Sequence, residues 1–374
     1  MVEAITFEKL QESNKENTTN LFLDLALKES KDINSNEYSA ELIKFTQLQT
    51  LKLNLSCCEL NSEQLKDFAN ALNQLNKLQY LKIKLVENVL TESNFKDLSD
   101  SISKMTDLNT LNLNFEQIKI LNDHYFNQNV FKNSEVNVGN NSFAMLGQGI
   151  SNCTKLKNLK IVLRKSQIES EGINKFAEAI ENCKELQSID IDLFENKTKN
   201  QGINQLFQSM SKLQKLKKLK LDLVKNELKS AAGQLIASHL PKFTELNQLY
   251  LQLRENTFSC QGTSDLLNGI KNLKNLEVLC LGLTNNDIAK QGAIAIANCV
   301  SSLNNLYNFT LYLNQNKLLE EDMKAIRSGL QKLLNLTNLT FYFNGNNITQ
   351  QFADKYIISI NKIRRLVYQD LHFQ

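Results

Sequence analysis

The sequence predicts an α/β solenoid: a curved horseshoe with a parallel β-sheet on its concave face and helices on its convex face. Three observations predict it. A register of aliphatic residues recurs every 30 residues along the chain. Within each repeat one segment alternates apolar and polar residues, as in Leu279-Cys280-Leu281-Gly282-Leu283, which is the period of a strand with one buried face. Each is followed by a run with apolar residues three and four apart, such as Ile296, Val300 and Leu303, which is the period of a helix.

The register is taken from the first leucine of each repeat. It falls at Thr18, Leu48, Leu78, Leu108, Leu156, Leu186, Leu216, Leu246, Leu276, Leu306, Leu336 and Leu366; ten of the eleven steps are 30 residues and one, Leu108 to Leu156, is 48. Self-similarity at a fixed period is the signature of stacked repeats. Ten residues after the mark stand Asn88, Asn196, Asn226, Asn256, Asn286, Asn316 and Asn346, with Cys58 in that place in one repeat. The stretch Leu276–Asn286, L-x-x-L-x-L-x-L-x-x-N, carries the whole pattern.

This pattern resembles the leucine-rich repeat family, in its ribonuclease-inhibitor-like subclass, from about residue 18 to the C-terminus. The strand segment is two residues longer than the familiar L-x-x-L-x-L-x-x-N. The resemblance implies a ladder of buried asparagines in the Asn column. Ser166 and the repeat beginning at Leu108 interrupt that column, which predicts irregular turns there.

In chain order, residues 1–17 lack the mark and are expected to form a polar N-terminal cap. Residues 18–374 then read as one leucine-rich repeat domain of about twelve units. Each is strand, turn, helix and return, and the glycines Gly172, Gly202, Gly262 and Gly292 read as the ends of turns. One unit cannot fold alone, since ordering its backbone costs about 1–2 kcal/mol per residue; units survive by sharing faces with neighbours. Parallel strands lie about 4.8 Å apart and packed helices about 8–10 Å, so strands are expected inside an arc and helices outside.

The 48-residue step holds an insertion near 116–135, between strand and helix. It carries His124 and the aromatic residues Tyr125, Phe126 and Phe131, read either as a binding loop or as a cover over the core edge. At the far end Leu366, Leu371 and Phe373 keep the register and no polar cap follows. That leaves an edge strand open to pairing with a partner or a second copy.

Composition narrows function by exclusion. Lys and Arg number 43 against 40 Asp and Glu, net +3, which gives no global pull toward nucleic acid or an anionic membrane. The N-terminal segment lacks the apolar core of a signal peptide, and no run reaches membrane-spanning length. A cytoplasmic setting is expected, with a cilium or the cytoskeleton as further possibilities. The seven cysteines show no C-x-x-C pair and do not cluster with the three histidines, so no zinc site is expected. Cys153 and Cys183 occupy a column otherwise filled by leucine, phenylalanine and methionine and read as core. The triplets beginning at Asn54, Asn196 and Asn338 read as chance matches to a glycosylation pattern. No nucleophile elbow, phosphate-binding loop or dinucleotide fingerprint appears. No catalytic residue, cofactor or metal is therefore assigned.

What remains is the polar face of the strands. In order it presents Lys52, Lys82, Lys84, Lys160 and Arg164, then Asp190, Asp192, Phe194 and Asp222, then Tyr250, Arg254, Tyr312 and Tyr342. The face runs basic, acidic, aromatic. Tyrosine and arginine favour interface hot spots, and segregated charge orients a partner. The expectation is a non-catalytic scaffold that binds a protein partner on this face, as family members mostly do. The resemblance also admits a regulator of a small GTPase, because Ran-type activating proteins share the repeat class, or a structural subunit of a cytoskeletal or ciliary assembly.

Overall fold

The structure is a computed structural model that describes residues 6–121, 138–363 and 366–372. The chain forms two compact units, Met1–Asp192 and Leu193–Gln374. In both, every main strand pairs in parallel with the strand of the next repeat.

In the first unit the strands are β1 (Asn20–Asp24), β2 (Thr50–Asn54), β3 (Tyr80–Lys84), β4 (Val89–Thr91), β5 (Thr110–Asn114), β6 (Lys119–Leu121), β7 (Asn158–Val162) and β8 (Ser188–Asp192). Six of them form one sheet in the order β1-β2-β3-β5-β7-β8, while β4 and β6 pair separately on the turn side. The sheet register follows the sequence period: Leu21, Leu51, Leu81, Leu111, Leu159 and Ile189 stand side by side. The second unit carries β9 (Lys218–Asp222), β10 (Gln248–Gln252), β11 (Val278–Gly282), β12 (Asn308–Tyr312), β13 (Asn338–Tyr342) and β14 (Tyr368–His372). Here Leu219, Leu249, Leu279, Phe309 and Leu339 align, and Gln369 ends the row. These are stacked strand–turn–helix repeats of leucine-rich type, an α/β fold.

The alternation of the sequence becomes burial. Leu51 and Leu53 are buried while Thr50, Lys52 and Asn54 are half-buried. The apolar side of each strand packs on helices such as Ser62–Leu72, Ser170–Ile180 and Ser259–Ile270, whose buried residues recur three and four apart. Phe143 and Phe176 from successive repeats stack with centroids 4.0 Å apart. Cys153 and Cys183 are fully buried, as core side chains, and their thiols donate to the carbonyls of Ile102 and Ile150. At the start, the helix Phe7–Glu12 buries Leu10 and sets Phe7 against Tyr38 at 4.5 Å. The ammonium of Lys15 lies 4.8 Å from the Phe45 ring centroid.

The asparagine column forms the ladder the family resemblance implies. Asn256 Nδ2 donates to the carbonyls of Leu223 and Leu253, each at 2.9 Å, and its Oδ1 accepts from the backbone of Asn226 and Leu228, each at 3.0 Å. Asn286 and Asn316 repeat the arrangement one step on. Cys58 substitutes in kind, donating its thiol to Leu25 O at 3.0 Å. At the interruption, the Ser166 hydroxyl donates to Arg164 O at 3.2 Å, and Asn140 supplies the side-chain acceptor for the backbone of Glu169.

Two features differ from expectation. Gly172 and Gly262 do not end turns; they lie inside the helices Ser170–Ile180 and Ser259–Ile270. Their role is close helix approach: a Cβ on Gly172 would lie 2.7 Å from Asn140 Cα, and one on Gly262 2.5 Å from Ser230 O. Gly202 and Gly292 are likewise helical, in Lys199–Met210 and Lys290–Val300. The left-handed turn position is instead filled by Leu27, Cys57, Glu87, Gln117, Lys165, Glu195, Lys225, Glu255, Asn285 and Gln315, and by a glycine only at Gly345. This column sits nine residues after the register mark. The chain tolerates the strain because the backbone N–H there continues the inter-repeat ladder, as from Glu255 to Thr284 O at 2.9 Å and from Gln315 to Asn344 O at 2.7 Å.

Candidate partner-binding face

The strand face turned away from the helices can be assembled row by row in each unit. In the first unit the central row runs Phe22, Lys52, Lys82, Asn112, Lys160, Asp190, and the row beside it Asp24, Asn54, Lys84, Asn114, Val162, Asp192. All five basic residues expected here stand on or beside these rows, but their environments divide. Lys160 Nζ pairs with Asp190 at 3.0 Å. Arg164 bridges Asp192 at 2.7 Å through Nε and Glu116 at 3.3 Å through Nη1. Asp190 and Asp192 thus act on their basic neighbours at one margin of the basic group. Lys52, Lys82 and Lys84 have no carboxylate in ion-pair reach among the described residues. Lys52 lies 6.0 Å from the Tyr80 ring centroid. Burial, and then the charges of Lys84, Lys52 and Lys160, hold the Lys82 ammonium below the ordinary lysine range.

In the second unit the rows are Lys220, Tyr250, Cys280, Thr310, Thr340, Asp370 and Asp222, Gln252, Gly282, Tyr312, Tyr342, His372. Parallel in-register pairing places identical positions side by side, so the aromatic residues stack. Tyr312 and Tyr342 lie 4.9 Å apart at 19°, and Tyr342 and His372 4.3 Å apart at 4°. Arg254 covers the other side of Tyr312 at 5.7 Å. The Tyr342 hydroxyl donates to Asp370 at 3.1 Å, and Asp370 also contacts the His372 ring. Burial raises the pKa of Tyr250 and Tyr312; Tyr342 is raised by burial and then by the Asp370 carboxylate. The Cys280 thiol, beside Tyr250 on the same row, is pushed up to about 11 by burial. Phe194 receives the ammonium of Lys225 at 5.9 Å, and Asp222 Oδ1 accepts from the Val224 backbone.

Sequence reasoning missed Tyr80, Lys218, Lys220, Asp370 and His372, which share these faces. The column rule would have found them: Tyr80 and Lys218 stand two residues after the mark, Lys220 four. Lys218 caps the Tyr250 ring at 5.3 Å. The insertion residues Tyr125, Phe126 and Phe131 lie outside the described residues.

A groove of about 530 Å³ lies between two helices, bordered by Met145 and Lys175. The apolar cavity under Phe68 and Phe95 is only about 30 Å³. Among the described residues, no group of three His, Cys, Asp or Glu side chains could hold a metal ion, and no helix is long and apolar enough to cross a membrane.

No protein-family model matches the chain, and no curated protein sequence matches it. Among solved structures it is similar to an internalin from Listeria monocytogenes, at 19% identity over 99% of this chain and 90% of that one, with a TM-score of 0.48. It is also similar to the actin-binding site 2 of leiomodin-1, at 14% identity over 37% of this chain and 78% of that one, with a TM-score of 0.31. At those scores the fold assignment rests on this chain's own strand order and register.

Proposed function

We propose that the chain is a non-catalytic protein-interaction scaffold whose partner docks on the strand faces. One observation supports this above the others: the ordered row Arg254, Tyr312, Tyr342, His372 on the polar sheet face, where the rings stack on one another. Aromatic and arginine side chains supply rigid contact area at small entropic cost, which is why they dominate hot spots. The residues put forward for this role are the thirteen of the sequence reading, joined by Tyr80, Lys218 and His372. The insertion residues Tyr125, Phe126 and Phe131 remain part of the proposal. So does the outer edge of β14, where Val367 is 84% exposed and Tyr368 55%.

The unbroken 30-residue step from Leu186 to Leu216 supports reading residues 18–374 as one repeat domain, with residues 1–17 as its cap. All seven cysteines are unpaired, which favours a reducing, cytoplasmic setting. The test is affinity purification with mass spectrometry, comparing the natural chain with a Tyr250→Ala, Tyr312→Ala, Tyr342→Ala variant of unchanged melting temperature. Loss of a defined partner from the variant supports the reading. The same partner set at the same yield removes the aromatic row from it.

A further inference from the structure

Three lysines on the strand face of the first unit repel one another, and among the described residues no carboxylate pairs with them. Lys52 and Lys82 stand directly opposite on β2 and β3, and Lys84 is two residues along on the same face of β3. Like charges directly opposite in a sheet are destabilising. The nearest carboxylates on or beside the face are otherwise engaged. Glu116, diagonal to Lys84 from the next strand, pairs with Arg164. Asp190 is paired with Lys160, one asparagine strand beyond Lys82. Asp24 lies two strands from Lys84, across Asn54, and its Oδ1 accepts from the Ala26 backbone. The Lys82 ammonium is held below the ordinary range by burial and by its three lysine neighbours, so the repulsion acts at a partly desolvated group. Tyr80 on the same strand face gives the patch an aromatic margin at Lys52.

We infer that Lys52, Lys82 and Lys84 form a docking patch for a short acidic segment of a partner protein, a few neighbouring Asp or Glu side chains. The inference rests on the interaction reading above and names the chemistry of one part of it. Charge complementarity supplies the attraction, and binding replaces repulsion with pairing. The surroundings favour a short peptide over a nucleic acid. Asp190 and Asp192 border the patch on one side and Asp24 on the other, so a continuous run of phosphates would leave the cations and meet carboxylates. Nucleic-acid affinity also grows with the number of phosphates neutralised, and three cations are few.

The experiment measures binding of a fluorescein-labelled poly-glutamate peptide by anisotropy, with poly-glutamine and oligo-dT as comparison probes. The expected result is saturable, salt-sensitive binding of poly-glutamate alone, weakened about tenfold by Lys52→Gln, Lys82→Gln, Lys84→Gln together. Without ligand, Lys82→Gln alone should raise Tm by about 1–3 °C at low salt and by less at high salt. Poly-glutamate binding unchanged in the triple variant overturns the inference. Tighter lysine-dependent binding of oligo-dT overturns it in favour of phosphate recognition. A Tm lowered or unmoved by Lys82→Gln removes the repulsion it starts from. If the lysine variant behaves like the natural chain while the tyrosine variant loses its partner, the acidic-segment reading falls and the scaffold reading stands.

Discussion

At Gln315 the backbone turns left-handed with φ of 53°, and thirty residues on Gly345 does the same at 67°. A side chain with a Cβ is strained there by about 1–2 kcal/mol, while glycine loses about 0.5–1 kcal/mol of chain entropy. Gln315→Gly should therefore stabilise the protein, and Gly345→Ala destabilise it, by about 0.5–1 kcal/mol each, read as the shift in urea midpoint. Asn285 tolerates the same conformation better, so Asn285→Gly should gain less. The buried thiols give a second test at this scale. Burial pushes Cys153, Cys183 and Cys299 up to about 12, from an ordinary value of 9.0. Alkylation of the native protein at mildly alkaline pH should therefore spare these three and modify the half-exposed Cys260 first, as peptide mapping would show.

At the scale of the repeat element, the asparagine ladder joins each turn to its neighbours. Removing the Asn256 amide orphans the carbonyl of Leu223 and the amides of Asn226 and Leu228, while the Leu253 carbonyl keeps its bond from Asn286 Nδ2. At about 1–3 kcal/mol per orphaned group, with some regained by water, Asn256→Ala should cost roughly 2–4 kcal/mol of unfolding free energy in chemical denaturation. Cys58 makes the same donor contact but offers a weak acceptor, so Cys58→Asn should be tolerated where Cys58→Leu is not. The helices make a different demand. Gly262→Ala places a methyl against Ser230 O and should cost about 1–3 kcal/mol through overpacking, although an alanine improves the helix itself.

For the whole molecule, the charge balance and the buried thiols set the response to pH. A thiol whose pKa is raised on folding contributes stability that is complete below its unfolded value near 9.0 and is lost as pH climbs toward about 12. Lys82 runs the other way: its lowered pKa means its strain is fully present at neutral pH and is relieved only as pH rises through the alkaline range below the ordinary lysine value. The thiols outnumber it, so Tm should fall steadily above about pH 9 in a thermal scan. A rise over that range would show that the thiols are not buried as described.

The strand pairing and its register were legible from the sequence because a fixed 30-residue step leaves only one way to bury every leucine column at once. The polar strand faces followed from the same alternation, and with them the thirteen face residues, though Tyr80, Lys218 and His372 were passed over. Other features depended on distances between backbones that no single repeat encodes. Gly172 looks like a turn residue until the neighbouring helix arrives 2.7 Å from its missing Cβ. The left-handed column carries mostly leucine, glutamate, glutamine and lysine, and only Asn285 and Gly345 hint at its conformation. Whether a lysine is quenched or bare was also decided in three dimensions. Lys160 finds Asp190 across one strand gap, while Lys82 finds only Lys52 and Asn112. Periodicity fixes which residues become neighbours, because hydrophobic burial is read along the chain; what those neighbours do to one another is set by a few ångströms of packing, and only folding supplies those.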